Sequence, residues 1–107
     1  MVNQQYYEAI VQLRPRDEEL ITYVRKQLLK TTKTYISKQI DKKFGIDLYL
    51  GSWRYAIALG RKLKRVFKGE LIISRRLYGV SKETSKDLYR VTVLFRKEEP
   101  LLKPDNK

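Results

Sequence analysis

Positively charged residues recur along one side of a predicted helix that spans residues 53–68. At 100° per residue, this side carries Arg54, Arg61, Arg65 and Lys68, with Lys62 and Lys64 on its flanks. The opposite side is apolar and carries Ala56, Leu59, Gly60, Leu63, Val66 and Phe67. Such an amphipathic helix packs its apolar side against a core, which leaves its basic side available for anions. The basic stripe is about 20 Å long at 1.5 Å per residue, so it could span several phosphates.

More cations follow the helix, in two predicted strands and the loop between them: Arg75, Arg76, Lys82, Lys86 and Arg90. Together with the helix cations they form our candidate nucleic-acid-binding set, because phosphate neutralisation by Lys and Arg supplies most of the affinity for nucleic acid. Neighbouring residues of a strand point to opposite faces, so at most one of Arg75 and Arg76 should share the surface of the helix. A basic helix side can also be simply solvated.

The whole chain shows the same excess of positive charge, with a formal net charge of +12 over 107 residues. Such an excess is typical of proteins that bind a polyanion, either nucleic acid or an anionic membrane. A membrane partner is not expected, because the basic helix needs its apolar side for the core. No run of apolar residues approaches 18, and the first residues contain no apolar signal segment. We therefore expect a cytoplasmic protein.

Most residue types that enzymes use for chemistry are missing, since the chain has no cysteine and no histidine. This excludes disulfides, thiolate chemistry and zinc sites of the usual Cys/His type. The acidic run at residues 17–19 falls in the first turn of a predicted helix, where the helix dipole favours anions, and does not suggest a catalytic pair. We expect a non-enzymatic domain with no cofactor and no small-molecule substrate.

Tyrosines offer a second way to contact nucleic acid, because unpaired bases stack on aromatic rings. The candidates are Tyr6, Tyr7, Tyr49, Tyr55, Tyr78 and Tyr89. No ribonucleoprotein-type aromatic motif stands out on a predicted strand. Half-buried packing is the more common role of a tyrosine in a small domain.

Hydrophobic periodicity predicts the element order β-α-β-β-α-β-β. The predicted strands are residues 6–14, 35–41, 46–50, 70–78 and 88–96, and the predicted helices are residues 16–29 and 53–68. In the first strand, Tyr7, Ala9, Val11 and Leu13 share one face. Two helices with one apolar face each favour an α+β, two-layer domain: a mostly antiparallel five-stranded sheet with both helices on one face.

The segment 35–41 is ambiguous between helix and strand. Ile36, Ile40 and Phe44 have helical spacing, whereas Tyr35, Ile36 and the preceding threonines favour a strand. We prefer a strand, because the short alternating segment 46–50 needs a neighbour that a turn through Lys42, Lys43 and Gly45 would supply.

Local signals set the predicted boundaries. Pro15 suits the start of the first helix, and Ser52 is a good N-cap for the second. Gly69 is the expected left-handed stop of the second helix, while Gly60 indicates a close approach between helix and sheet. Leu71, Ile73 and Leu77 are the apolar members of the fourth strand. Residues 79–86 form a predicted polar loop, residues 6–96 a single domain, and residues 97–107 a tail or linker.

Two motifs stand in order along the chain. Gly45-Ile46-Asp47-Leu48-Tyr49-Leu50 leads into the basic helix, and Ser74-Arg75-Arg76-Leu77 follows it, before the polar loop and the strand through Tyr89 and Val93. In this arrangement, about residues 10–96 resemble the nonsense-mediated-decay-three family. That family supplies the export adaptor of the large ribosomal subunit in eukaryotes and has archaeal relatives.

The resemblance implies a domain for ribosome biogenesis that docks on the large ribosomal subunit and touches ribosomal RNA and ribosomal proteins. The family's amino-terminal region carries CxxC zinc motifs, which have no counterpart in this chain. The resemblance therefore concerns the central domain of an archaeal-type protein, with zinc expected only in a preceding region. The alternative function is a protein-interaction module for an acidic protein partner.

Overall fold

Five strands and two helices make up the described part of the chain, residues 6–80 and 87–98 of a computed structural model. The elements are β1 (Ala9–Arg14), α1 (Glu18–Lys30), β2 (Ile36–Lys42), β3 (Gly45–Leu50), α2 (Trp53–Val66), β4 (Gly69–Val80) and β5 (Asp87–Lys97). This order confirms the predicted β-α-β-β-α-β-β arrangement. Neither of these helices is long and apolar enough to cross a membrane.

The strands form one mixed sheet in the order β2-β3-β1-β5-β4. The central strand β1 runs parallel to β5, and the pairs β1–β3, β2–β3 and β4–β5 are antiparallel. The sheet is thus mostly antiparallel, as predicted. The parallel pair joins the first and last strands of the sequence, since Ala9 lies opposite Val91 and Arg14 lies opposite Arg96.

The core lies between the sheet and the helices. The three central strands direct alternate apolar side chains to this side, and both helices meet them with their apolar faces. The buried members are Ala9, Val11, Leu13, Leu20, Ile21, Val24, Ile46, Leu48, Leu50, Ala56, Leu59, Leu63, Val91, Val93 and Phe95, each no more than 6% exposed. Both helices therefore cover the same face of the sheet, and the two-layer α+β prediction is confirmed.

Side-chain caps fix where both helices begin. The carboxylate of Asp17 accepts a hydrogen bond from the backbone N–H of Leu20 at 2.9 Å, so α1 begins at Glu18 and not directly after Pro15. The hydroxyl of Ser52 accepts one from the N–H of Tyr55 at 3.2 Å, which confirms Ser52 as the N-cap of α2.

The two glycines singled out in and after α2 have different outcomes. A Cβ on Gly60 would lie 2.6 Å from Val93 Cγ1 and 3.0 Å from Leu71 Cδ1, which confirms the close helix–sheet approach. The left-handed stop at Gly69 is wrong. The C-cap is Phe67 in an extended conformation, and Gly69 is already the first residue of β4. Since α2 ends at Val66, that side chain is 51% exposed and not part of the core.

Residues 36–42 are a strand, so the preference for strand at 35–41 is confirmed. This strand forms an antiparallel hairpin with β3 through Lys43 and Phe44. Ile36 and Ile40 both remain exposed at this edge of the sheet. An edge strand without a buried apolar face lacks clear alternation, which explains the ambiguity of its sequence.

Other element ends differ from the prediction by a few residues. β1 begins at Ala9 because the chain bends at Glu8, and β4 continues to Val80 with an irregularity between Leu77 and Gly79. Leu77 is 52% exposed and does not pack in the core. β5 includes Lys97, the first residue of the predicted tail. The rest of that tail beyond residue 98, and residues 81–86 of the predicted loop, lie outside the described residues.

Candidate functional site

The outer side of α2 is the larger part of the candidate site. The exposed cations along it are Arg54, Arg61, Lys64 and Arg65. Lys68 is also exposed, but it lies beyond the end of α2 at Val66 and not on the helix as predicted. Lys62 is half-buried, and its ammonium donates a hydrogen bond to Gln27 Oε1 at 2.8 Å. The ammonium of Lys64 donates to the carbonyl of Gly69 at 2.6 Å. We call Arg54, Arg61, Lys64, Arg65 and Lys68 the helix stripe.

No acidic side chain neutralises the helix stripe within residues 6–80 and 87–98. The ion pairs of this region involve Arg14, Arg16, Lys42, Arg96 and Lys97 instead. Like charges held along one side of a helix repel each other, and together they attract an anion that approaches that side. The helix stripe can therefore contact phosphates without first breaking an ion pair.

Near the start of α2, aromatic rings orient two arginines, one on α2 and one on β4. The guanidinium of Arg54 lies 5.2 Å from the Trp53 ring centroid. The guanidinium of Arg75 lies 5.9 Å from the same centroid and 5.0 Å from that of Tyr89. Arg75 thereby extends the basic surface from the helix onto β4. Each such contact contributes about 0.5–1 kcal/mol at an exposed site, enough to restrict the cation without neutralising it.

The predicted set does not form one surface. Arg76 lies opposite Arg90 in the β4–β5 register. Arg76 and Arg90 face away from the helices, whereas the neighbouring Arg75 faces them. This confirms that only one of the pair Arg75-Arg76 shares the helix surface. Lys82 and Lys86 lie outside the described residues. The set is thus divided between the α2 side and the other face of the sheet.

The sheet face that the helices leave uncovered, here called the open face, carries a row of rings and cations that sequence reasoning did not assemble. Lys38 Nζ lies 4.6 Å from the Tyr49 ring centroid. Tyr49 meets Tyr7 edge to face, with their centroids 4.8 Å apart. The Arg90 guanidinium lies 4.2 Å from the Tyr7 centroid. We call Lys38, Tyr49, Tyr7 and Arg90 the stacked row.

Tyr7 lies on the side opposite to the one predicted from alternation. Alternation along the first strand predicts that Tyr7 shares the core face of Ala9, Val11 and Leu13. The bend at Glu8 turns the chain, so the Tyr7 ring contacts Tyr49 and Arg90, while the Glu8 carboxylate accepts a hydrogen bond from the N–H of Trp53. The regular alternation of a strand does not continue through a bend.

At the other end of the open face, two acids form ion pairs with three cations. Asp47 is 3% exposed, and its Oδ1 accepts a hydrogen bond from Arg14 Nη2 at 2.8 Å. Lys42 Nζ lies 3.5 Å from the second carboxylate oxygen of Asp47, and Arg96 lies 3.7 Å from Glu70. Two acids thus offset most of the positive charge of this end, whereas the stacked row contributes the cations Lys38 and Arg90 to the opposite end.

Comparison with protein families decides the assignment of the chain. A family model described as NMD3, second domain, matches residues 6–96. The chain belongs to the NMD3 family. The match includes the helix stripe and the stacked row. A search of curated proteins gives no match. The NMD3 family is one of ribosome biogenesis and export adaptors, associated with the large ribosomal subunit.

Among the described residues of this NMD3-family domain, the titratable groups with shifted pKa values lie where α1 meets other elements. The Leu20 N–H and then Lys97 hold the pKa of Asp17 below its ordinary value. Hydrogen bonding to Asp17 raises the pKa of Lys97. Burial raises the pKa of Tyr55, whose hydroxyl donates to the carbonyl of Gln27. All three make contacts that tie α1 to β5 or α2.

A metal-binding group is absent from the part of the domain that the structure describes. No three or more acidic side chains come together there in a way that could hold an ion. The described surface does display cations, aromatic rings and a few exposed apolar side chains.

Proposed function

We propose that this domain binds the large ribosomal subunit without catalysing a reaction, and that the helix stripe contacts phosphates of ribosomal RNA. Neighbouring ribosomal proteins complete the contact surface. The single observation that carries the proposal is the helix stripe, with several exposed cations on one helix side and no ion-pair partner among the described residues. Membership of the NMD3 family supports the ribosome as the source of the RNA.

The rigid base of α2 suits this function. Ala56, Leu59 and Leu63 are buried against the sheet, and Gly60 lets the helix lie close to Val93. The cations on the outer side are therefore held at a fixed spacing, which lowers the entropy lost when they meet a rigid row of phosphates. Arg54 and Arg75, oriented by Trp53, extend the contact beyond the helix start.

Salt dependence tests the proposed chemistry. If about six phosphates are contacted, the logarithm of the association constant should fall with the logarithm of salt concentration with a slope on the order of −4 to −5. The measurement is co-sedimentation of the domain with purified large ribosomal subunits over a salt series. Absent binding at low salt, or binding that does not change with salt, would contradict the proposal.

Charge reversal locates the contact on the domain. The double variant Arg61→Glu/Arg65→Glu should abolish binding at moderate salt, because it replaces two attractive contacts by two repulsive ones. The matched control Lys26→Glu/Lys43→Glu changes the net charge equally at exposed positions of α1 and the β2–β3 turn. The control should lose only a small part of the affinity. Equal losses in both variants would show that net charge, and not the helix stripe, determines binding.

Competition distinguishes RNA from an acidic protein partner. Purified ribosomal RNA added to the domain and subunits should displace the domain, since it offers the same phosphates. If RNA does not compete while the Arg61→Glu/Arg65→Glu variant still loses binding, the helix stripe contacts an acidic protein surface instead.

A further inference from the structure

We propose that the stacked row and Arg76 bind a single-stranded RNA segment, with bases stacked against the row and phosphates held by its cations. This surface lies on the side of the sheet away from the helix stripe. It rests on the proposed function only in that the ligand is again RNA, and it adds a different structural class of RNA and a different contact chemistry.

The stacked row is a continuous set of ring and cation contacts, in which the two tyrosine rings are nearly perpendicular to each other. Its four groups follow one another across the sheet from β2 to β5, with separations between 4.2 and 4.8 Å. Unpaired bases stack on aromatic rings and on guanidinium planes alike. Because Lys38 and Arg90 already lie over rings, little of their side-chain entropy remains to be lost on binding. Arg90 thus places a guanidinium over the Tyr7 ring, and Lys38 places an ammonium over the Tyr49 ring.

The surroundings of the row favour a ligand that is both flat and anionic. The register row that contains Lys38 and Tyr49 continues across the sheet through three uncharged residues, Ile10, Thr92 and Ser74. Arg76 adds a second guanidinium directly opposite Arg90. The acids of the described open face, Asp47 and Glu70, are engaged at the other end. Bases can therefore lie on a neutral floor between flanking cations.

A single strand fits this surface better than a duplex. The open face is a sheet whose five strands span about four spacings of ~4.8 Å, or roughly 19 Å. A duplex hides its base faces and offers only phosphates and groove edges, so it could not use the rings. A protein partner that met several cations here would need clustered acids, whereas an RNA strand supplies negative charge and flat apolar surface together.

Binding of two RNA probes tests the inference. Fluorescence anisotropy is measured with a labelled 12-nucleotide oligouridine and with a labelled 12-base-pair RNA duplex. Tyr49→Leu and Tyr7→Leu keep apolar volume but remove the ring, and each should weaken binding of the oligouridine at least about fivefold. Binding of the duplex should change less than twofold. The matched controls Tyr49→Phe and Tyr7→Phe keep the ring and should bind the oligouridine like the unmodified domain.

Neutralising a cation provides a second variant that does not touch the packed rings. Arg76 is exposed and forms no ion pair within the described residues. Arg76→Gln should reduce the salt slope for the oligouridine by about 0.7 and leave the duplex slope unchanged. Thermal unfolding of each variant shows whether a loss of binding reflects a loss of fold.

The outcomes separate this inference from the proposed function. If Arg61→Glu/Arg65→Glu weakens RNA binding but folded Tyr→Leu and Arg76→Gln variants bind the oligouridine normally, the inference is wrong and the helix stripe remains. If only the open-face variants weaken RNA binding, the proposed RNA contact of the helix stripe is wrong and the inference about the open face remains. If those variants lose binding to ribosomal subunits but not to either RNA, the open face contacts protein and the inference is overturned.

Discussion

Gly60→Ala tests the close packing that holds the helix stripe in place. In the interior of a helix, alanine is more favourable than glycine by about 1 kcal/mol. Helix propensity alone therefore predicts that Gly60→Ala stabilises the domain. The new Cβ would lie 2.6 Å from Val93 Cγ1, about 1 Å closer than a favourable carbon–carbon contact of ~3.5–4.0 Å. Val93 is fully buried and β-branched, so it cannot easily rotate away.

Overpacking of a core costs roughly 1–3 kcal/mol, which outweighs the gain in propensity. We therefore expect Gly60→Ala to lower the free energy of unfolding by about 1 kcal/mol net. Urea unfolding followed by circular dichroism gives this value. Ala58→Gly, at an exposed position of the same helix, isolates the propensity term and should cost about 0.5–1 kcal/mol.

A double variant identifies Val93 as the obstacle. Val93→Ala removes the methyl group that the new Cβ meets, so the two substitutions together should cost less than the sum of their separate effects. A coupling free energy of about 1 kcal/mol is expected for groups in direct contact. If Gly60→Ala stabilises the domain by the amount that Ala58→Gly destabilises it, α2 does not approach the sheet as closely as described.

Two further predictions concern ion pairs that join distant segments. Asp17→Ala should lower the free energy of unfolding by about 1–2 kcal/mol at pH 7, since it removes the α1 cap and the 3.1 Å contact with Lys97. The folded-state pKa of Asp17 is lowered, so its contribution to the free energy of unfolding is present above the ordinary pKa of 3.8 and is lost as the pH falls through the lowered pKa. The free energy of unfolding in urea should therefore change less between pH 7 and pH 3 in the variant than in the unmodified domain. Asp47→Ala should cost about 3 kcal/mol in the same assay, because it leaves the guanidinium of Arg14 without its buried partner. Asp41→Ala removes an exposed ion pair and should cost less than about 1 kcal/mol, and equal losses at both positions would contradict the importance of burial.

Local periodicity was enough to predict the element order, because each element has either a buried face or a marked end. β3 alternates Ile46, Leu48 and Leu50 on its core side, and all three are buried. Ser52 begins α2 because its hydroxyl satisfies a free backbone N–H, an interaction that depends only on neighbouring residues. The α+β class followed from two apolar helix faces that need one sheet face.

Pairing between distant segments was not available from the same signals. The parallel alignment of β1 with β5 brings together residues about 80 positions apart, and no local pattern specifies it. The stacked row depends on this arrangement, since Arg90 on β5 reaches Tyr7 just before β1. Alternation alone assigns Tyr7 to the core face, because it does not reveal the bend at Glu8. Gly69 likewise looked like a helix stop, although its role is to begin the pairing with β5.

The helix stripe and the open face display their cations differently, and this difference follows from the elements that carry them. The helix displays cations along a ridge that contacts a described ring only at its start, at Trp53, and such a ridge suits phosphates along the backbone of folded RNA. A sheet displays flat groups side by side, which suits exposed bases. The adjacent residues Arg75 and Arg76 point to opposite sides of β4, towards Trp53 and towards Arg90. If both surfaces bind as proposed, β4 is the boundary between a backbone-contacting side and a base-contacting side, and the domain would be held between two RNA segments.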